Sequence, residues 1–396
     1  MTLTPPRHAN LPFTALAGAL ALAAAMGFGR FSFTPILPGM MTDLHLVPAD
    51  AGLIAAANFL GYLFGAVLAG QGWAAGRERL IALSSLLATS LLLAAMALTQ
   101  HVGLFMLIRF LAGVASAFAM IFTSSIVLAH ISTYANLHGG EYAQSTHFGG
   151  VGLGIAASSL MVYALPHRFG ASAGWRLDWL AGAGLTFVVF LFVSLLLPRV
   201  RKTEVRAEQE PPLSWGRPFL LLFASYGLFG FGYVVTATFI VTMARMANAG
   251  PVAEFLAWFL AGIMAAASLF FWRPVLDRLG LAGAYSLALL LAAVGVFASV
   301  GLPGIAAPLV GAALLGLTFM TITAYGLRLA RTLAPASPRK ALSIMTAAFG
   351  VGQTIGPLVA GWLAAISGSF ALPSLVAGAV LLVSLILAAS LWRKTV

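Results

Sequence analysis

The chain has 396 residues, 61% of them hydrophobic and 8% charged, with a formal net charge of +11. A soluble domain carries about 25% charged residues, so a soluble globular fold is excluded. The apolar runs are long and do not alternate, which excludes an outer-membrane barrel and indicates an all-α polytopic membrane protein. No cysteine is present, which excludes disulfides and thiolate-held metals. The cations fall in short loops between apolar runs, so the positive charge reads as membrane orientation rather than as a nucleic-acid footprint.

The first predicted span covers 13–41. Arg7 and His8 precede it and Ala23, Ala24 and Ala25 lie within it, which imitates a secretory leader. The run exceeds the ~7–15 apolar residues of a leader, and a second span follows at once, so a retained helix is expected. Within it lies Gly27-Phe28-Gly29-Arg30-Phe31-Ser32-Phe33-Thr34-Pro35. A cation at that depth costs ~3 kcal/mol on insertion scales, and such residues usually face the protein interior or a water-filled cavity.

The remaining predicted spans are 48–74, 79–98, 102–130, 141–165, 175–197, 216–244, 252–274, 280–299, 303–330, 340–366 and 369–392, twelve in all. With the N-terminus in the cytoplasm, sixteen Lys and Arg fall on the cytoplasmic side and three, Arg168, Arg176 and Arg245, on the other. That asymmetry satisfies the positive-inside rule with both termini cytoplasmic. Residues 198–215 form a charged, Pro-punctuated linker between a six-helix half, 1–197, and a second half, 216–396. The halves repeat. Gly27-Phe28-Gly29 recurs as Gly230-Phe231-Gly232 and Gly113 as Gly316, both shifted by 203, and Gly150-Val151-Gly152 recurs as Gly350-Val351-Gly352, shifted by 200. Repeated halves point to alternating access, with a site near the midplane between them.

Further motifs carry a family resemblance. Arg109-Phe110-Leu111-Ala112-Gly113 lies in span 4, and Gly174-Trp175-Arg176 opens span 6. Asp277-Arg278-Leu279-Gly280 joins spans 8 and 9, and Gly350-Val351-Gly352-Gln353-Thr354-Ile355-Gly356-Pro357 lies in span 11. Together these resemble the major facilitator superfamily. The run from Gly29 to Pro35, with Pro38 and Met40, resembles its YbfB/YjiJ-like branch. The resemblance implies a twelve-helix transporter fold in a bacterial inner membrane, with Asp277, Arg278 and Gly280 gating the cytoplasmic side. The first-half copy of that loop, Ala74 to Arg79, lacks the Asp, and span 5 lacks a Gly-Pro pair.

Arg30 lies ~25 Å along span 1 and Arg109 ~10 Å into span 4 from the other side, so the two cations sit at comparable depth. They can clamp a carboxylate or phosphate, or they can hold backbone carbonyls freed near Pro35 and Pro38. The ten Asp and Glu all fall at span ends or in loops. A buried carboxylate is the usual proton carrier of a pump, so the pattern favours an anionic or neutral substrate. The protonatable candidates are His147, two turns into span 5, and Glu141. The spacing of His138, Glu141 and His147 matches no strong metal motif, and no metal or other cofactor is expected. Phe28, Phe31, Asn58, Tyr62, Tyr226, Tyr233, Thr321, Tyr325 and Gln353 are the remaining candidates for shaping the cavity. Tyr233 is the repeat-equivalent of Arg30.

The expected function is alternating-access secondary transport of a small organic molecule, by preference an anion bound near Arg30, with a possible coupled proton. The alternative is a broad-specificity drug or metabolite exporter with an aromatic cavity. A membrane enzyme fits less well, because the sequence shows no catalytic constellation. A monomer in a lipid bilayer is expected.

Overall fold

A computed structural model describes residues 11–133, 140–169, 174–198 and 210–395. The described residues are helical, without strands, and contain twelve helical segments long and apolar enough to cross a membrane. The first, Leu11–Leu44, has three parts: α1 (Leu11–Leu22), a π-helical stretch (Ala23–Phe28) and, after an irregular turn, α2 (Phe33–Leu44). Spans 2 to 6 are α3 (Pro48–Ala69), α4 (Glu78–Met96), α5 (Val102–Thr133), α6 (Gly140–Phe169) and α7 (Trp175–Leu196). Spans 7 to 12 are α8 (Arg217–Met246), α9 (Pro251–Phe271), α10 (Arg273–Gly301), α11 (Ala306–Leu333), α12 (Pro338–Ser367) and α13 (Ala371–Thr395). An even number of crossings places Leu11 and Thr395 on one face of the membrane, called here the terminal face.

The break in the first span lies at Gly29–Ser32, upstream of the two prolines. The amides of Gly29 and Phe31 bond five residues back, to Ala24 and Met26, and the amide of Thr34 bonds only three back, to Phe31. Pro35 has no N–H to continue the ladder. The carbonyls of Gly29 and Arg30 are thereby left without helical partners. Glycines in this stretch allow a close helix contact. Gly27 lies directly on the backbone of Gly154 in α6, and a Cβ there would come within 2.4 Å of it. Without a hydrophobic drive between helices in lipid, such small-residue contacts let backbones approach and pack.

The sequence repeat is visible in the packing. Gly113 of α5 rests on the carbonyl of Asn58 in α3, and Gly316 of α11 rests on that of Ala261 in α9, each position shifted by 203. The two halves meet mainly through three helix pairs: α3 with α12, α6 with α9, and α2 with α8. On the side away from the terminal face they close tightly. Gly52 abuts the carbonyl of Pro357, and Gly361 abuts that of Pro48. The Ser159 hydroxyl donates to the Phe255 carbonyl at 2.9 Å, and the rings of Tyr163 and Phe255 stack at 4.7 Å. Thr34 donates to the carbonyl of Ala237, its own repeat-equivalent, at 2.8 Å.

Of the linker, residues 199–209 lie outside the described residues. Its last part is fastened to the second half. The Glu210 carboxylate accepts the backbone N–H groups of Arg339 and Lys340, each at 3.0 Å, and Arg339 Nε, also at 3.0 Å. Partial desolvation opposes ionisation. The two amides and the guanidinium outweigh it and hold the carboxyl below the ordinary glutamate value. The acidic group also suits the N-terminus of α12.

Candidate substrate-binding site

A cavity of about 840 Å³ lies between the halves. Tyr142, Gln144, Arg273 and Arg328 line its mouth, all exposed and near helix ends on the terminal face. Arg30, Phe31, Tyr62, Tyr233 and Gln353 line its closed end. The molecule is therefore open toward the terminal face and shut on the other.

Arg30 is 4% exposed. The irregular turn after the π-helical stretch presents it, and its Nη2 donates to Gln353 Oε1 at 2.7 Å, linking the two halves. The Gln353 amide in turn donates to the Tyr233 hydroxyl. The guanidinium lies 4.1 Å from the ring centre of Tyr62, 4.8 Å from that of Phe59 and 5.3 Å from that of Phe31. Such cation–π contacts partly replace the lost hydration. Arg30 Nε has no hydrogen-bond partner. No Asp or Glu lines the cavity among the described residues.

Arg109 sits behind this wall, 2% exposed. Its Nη1 donates to the carbonyl of Gly29 at 2.9 Å and its Nη2 to that of Arg30 at 2.7 Å. These are the carbonyls freed by the break, so Arg109 holds the turn that presents Arg30. Asn58 steadies α5 beside it by donating to the Arg109 carbonyl at 2.9 Å. The repeat-equivalents of Asn58 and Arg109 are Ala261 and Ala312, and α8 runs unbroken through Tyr233. The second half has no broken helix and no polar clamp at these positions.

Of the residues the sequence singles out, Arg30, Phe31, Tyr62, Tyr233, Tyr325 and Gln353 line the cavity; Arg109, Phe28, Asn58, Tyr226 and Thr321 do not. Phe28 is buried toward Gly182 of α7. Tyr226 stacks on Phe349 at 5.2 Å and reaches the Thr323 carbonyl at 3.4 Å. Thr321 bonds back to Leu317 within its own helix. His147 is fully buried with its Nε2 2.8 Å from Ser124 Oγ, and Ser124 lines the cavity. Its Nδ1 packs against Gly18 of α1. The side chain of Glu141 and all of His138 lie outside the described residues. Asp277 and Arg278 are exposed near the mouth, and Gly280 breaks α10 with φ 66°.

The sequence reading missed Phe319, Phe349, Met26, Met120 and Met320, all of which line the cavity. Helical period supplies the signal for one of them: Phe349 lies one turn before Gln353 and shares its face.

The family model described as "Uncharacterised MFS-type transporter YbfB" matches residues 22–389. The chain belongs to this family. It is a membrane transporter of the major facilitator superfamily, not an enzyme. Solved transporters share the fold of this YbfB-type chain at low identity. A point mutant of the nucleoside transporter NupG aligns with a TM-score of 0.75 at 15% identity, over 96% of this chain and 99% of that one. NupG without the substitution gives 0.72 at 16%, with the same coverage. A bacterial homologue of the human lysosomal transporter Spinster, inward-facing and unoccupied, gives 0.74 at 15%, over 98% and 97%. No curated protein matches the YbfB-type chain by sequence.

Proposed function

We propose that the protein is a monomeric secondary transporter of a small organic anion in a bacterial inner membrane, with both termini cytoplasmic and the cavity open to the cytoplasm. One observation carries the reading: the charged group at the closed end of the cavity is Arg30, and no carboxylate lines the cavity among the described residues. Arg273 and Arg328 add positive charge at the mouth, which raises the local concentration of anions. An incoming carboxylate competes with Gln353 for the guanidinium. Because Gln353 belongs to the other half, binding alters a contact between the halves, and alternating access requires that kind of link.

Arg109 supports Arg30 from behind rather than contacting the substrate. His147 is the proposed carrier of a coupled proton, because its partner Ser124 lines the cavity.

The test is a thermal-shift screen of purified protein against matched acids and amides, repeated with Arg30→Lys and Arg30→Ala. Acids are expected to stabilise the wild type and not the Ala variant. Equal stabilisation of the folded Ala variant by acids overturns the anion reading. A broad-specificity exporter is the second reading, because nine lining residues are aromatic. It predicts that lipophilic cations and neutral drugs bind with no dependence on Arg30.

A further inference from the structure

Beside Arg30, the closed end of the cavity holds a set of flat rings. The Tyr233 ring lies within 1° of parallel to Phe319, with centres 5.9 Å apart, and within 5° of parallel to Phe349, with centres 5.6 Å apart. Phe229 stacks on Tyr233 at 4.9 Å and on Phe349 at 5.6 Å, and so fixes both rings from behind. Phe31 meets Phe319 edge-on at 6.3 Å from the other half. Tyr233, Phe319, Phe349 and Phe31 all line the cavity. Fixed parallel rings favour flat π-systems in offset stacking over saturated groups of equal size.

The charge and the rings are close together. A single carboxamide, that of Gln353, bridges the Arg30 guanidinium and the Tyr233 hydroxyl. A ligand with its charge on Arg30 and its body on the rings therefore has its carboxylate attached to the ring directly or through one or two bonds. Met26, Met120 and Met320 also line the cavity, and thioethers adapt to varied ring substituents.

We infer that the substrates are flat aromatic carboxylates, with the carboxylate held by Arg30 and the ring on the platform of Tyr233, Phe319 and Phe349. This rests on the anion reading above and narrows it.

The test is calorimetric binding to the purified full-length protein. The probes are benzoate, phenylacetate and indole-3-carboxylate, against cyclohexanecarboxylate as a saturated acid and benzamide as an uncharged ring. The aromatic acids are expected to bind about tenfold tighter than cyclohexanecarboxylate, with no measurable binding of benzamide. Phe349→Leu is expected to bring the ratio close to one, through a larger loss for the aromatic acids than for cyclohexanecarboxylate. The wild-type ratio decides the matter even if that variant fails to fold. Equal affinity for benzoate and cyclohexanecarboxylate overturns the aromatic inference and leaves the anion reading standing. Binding of benzamide as tight as benzoate overturns the anion reading, and failure of every aromatic acid to bind overturns the inference outright.

Discussion

Substituting Gly52 with a larger residue is expected to force the closed side of the molecule apart. Gly52 in α3 faces Pro357 and Gly361 in α12 across the two halves. A Cβ at position 52 would lie 2.4 Å from the Pro357 carbonyl oxygen and 3.3 Å from Gly361 Cα, and real Cβ atoms essentially never approach closer than 3.0 Å. The backbones must therefore separate by roughly 0.6 Å for alanine and further for valine. A carbonyl fixed in a helix cannot move aside as a flexible side chain can. Overpacking of this kind costs about 1–3 kcal/mol, which shifts an equilibrium by about five- to 150-fold. The penalty falls only on the form in which α3 and α12 touch here, so Gly52→Val moves the population toward the oppositely open form. The chain has no cysteine, so single reporters can be introduced without background. Ser125→Cys lies on the cavity wall, and Ala237→Cys is buried beside Thr34 at the closed side. With Gly52→Val, maleimide labelling at position 125 should slow and labelling at position 237 should quicken. Unchanged rates at both positions, in protein that still runs as a single species, would refute the wedge reasoning.

Other outcomes follow from the same geometry. Arg109→Gln removes two charged hydrogen bonds to the broken turn, each worth about 1.5–3 kcal/mol; thermal unfolding should show a loss of a few kcal/mol, larger than for Arg30→Gln. His147→Gln should abolish the response of transport to an imposed pH gradient while leaving counterflow intact, and a response that persists removes His147 as the carrier. For Glu210, the folded carboxyl is held below its unfolded value, so its fastening of the linker is fully present above the ordinary glutamate range and lost as pH falls through the lowered value. Protection factors of the Arg339 and Lys340 amides, taken against their intrinsic exchange rates, should fall in that acidic window, and Glu210→Gln should weaken the dependence.

Much of the architecture was legible because hydropathy and loop charge respond to the bilayer over some twenty residues at a time. The 203-residue shift also survives in close helix contacts, where only small residues fit, as Gly113 and Gly316 show. The break in the first span was less legible. Pro35 and Pro38 suggested freed carbonyls, but the register change begins upstream, where Gly27 and Gly154 bring two backbones together. That close approach involves α6, which the hydropathy of the first span does not record. The two arginines looked alike in sequence for the same reason. Their roles separate only once the free carbonyls are located: Arg109 reaches the main chain, and Arg30 reaches Gln353. Facing errors account for the remaining differences. Thr321 was expected in the cavity, whereas its neighbours Phe319, Met320 and Thr323 line it. Tyr226 lies behind Phe349 rather than beside it.

The central claim is that Arg30 is the anion anchor of an alternating-access transporter. Counterflow of a radiolabelled aromatic carboxylate in proteoliposomes tests it most directly, comparing wild type with Arg30→Gln reconstituted at equal density. The account predicts that unlabelled acid inside the vesicles drives label accumulation in the wild type, with at least a tenfold loss in the variant. Accumulation by the variant at the wild-type rate, or none by the wild type with any acid that binds it, would contradict the account.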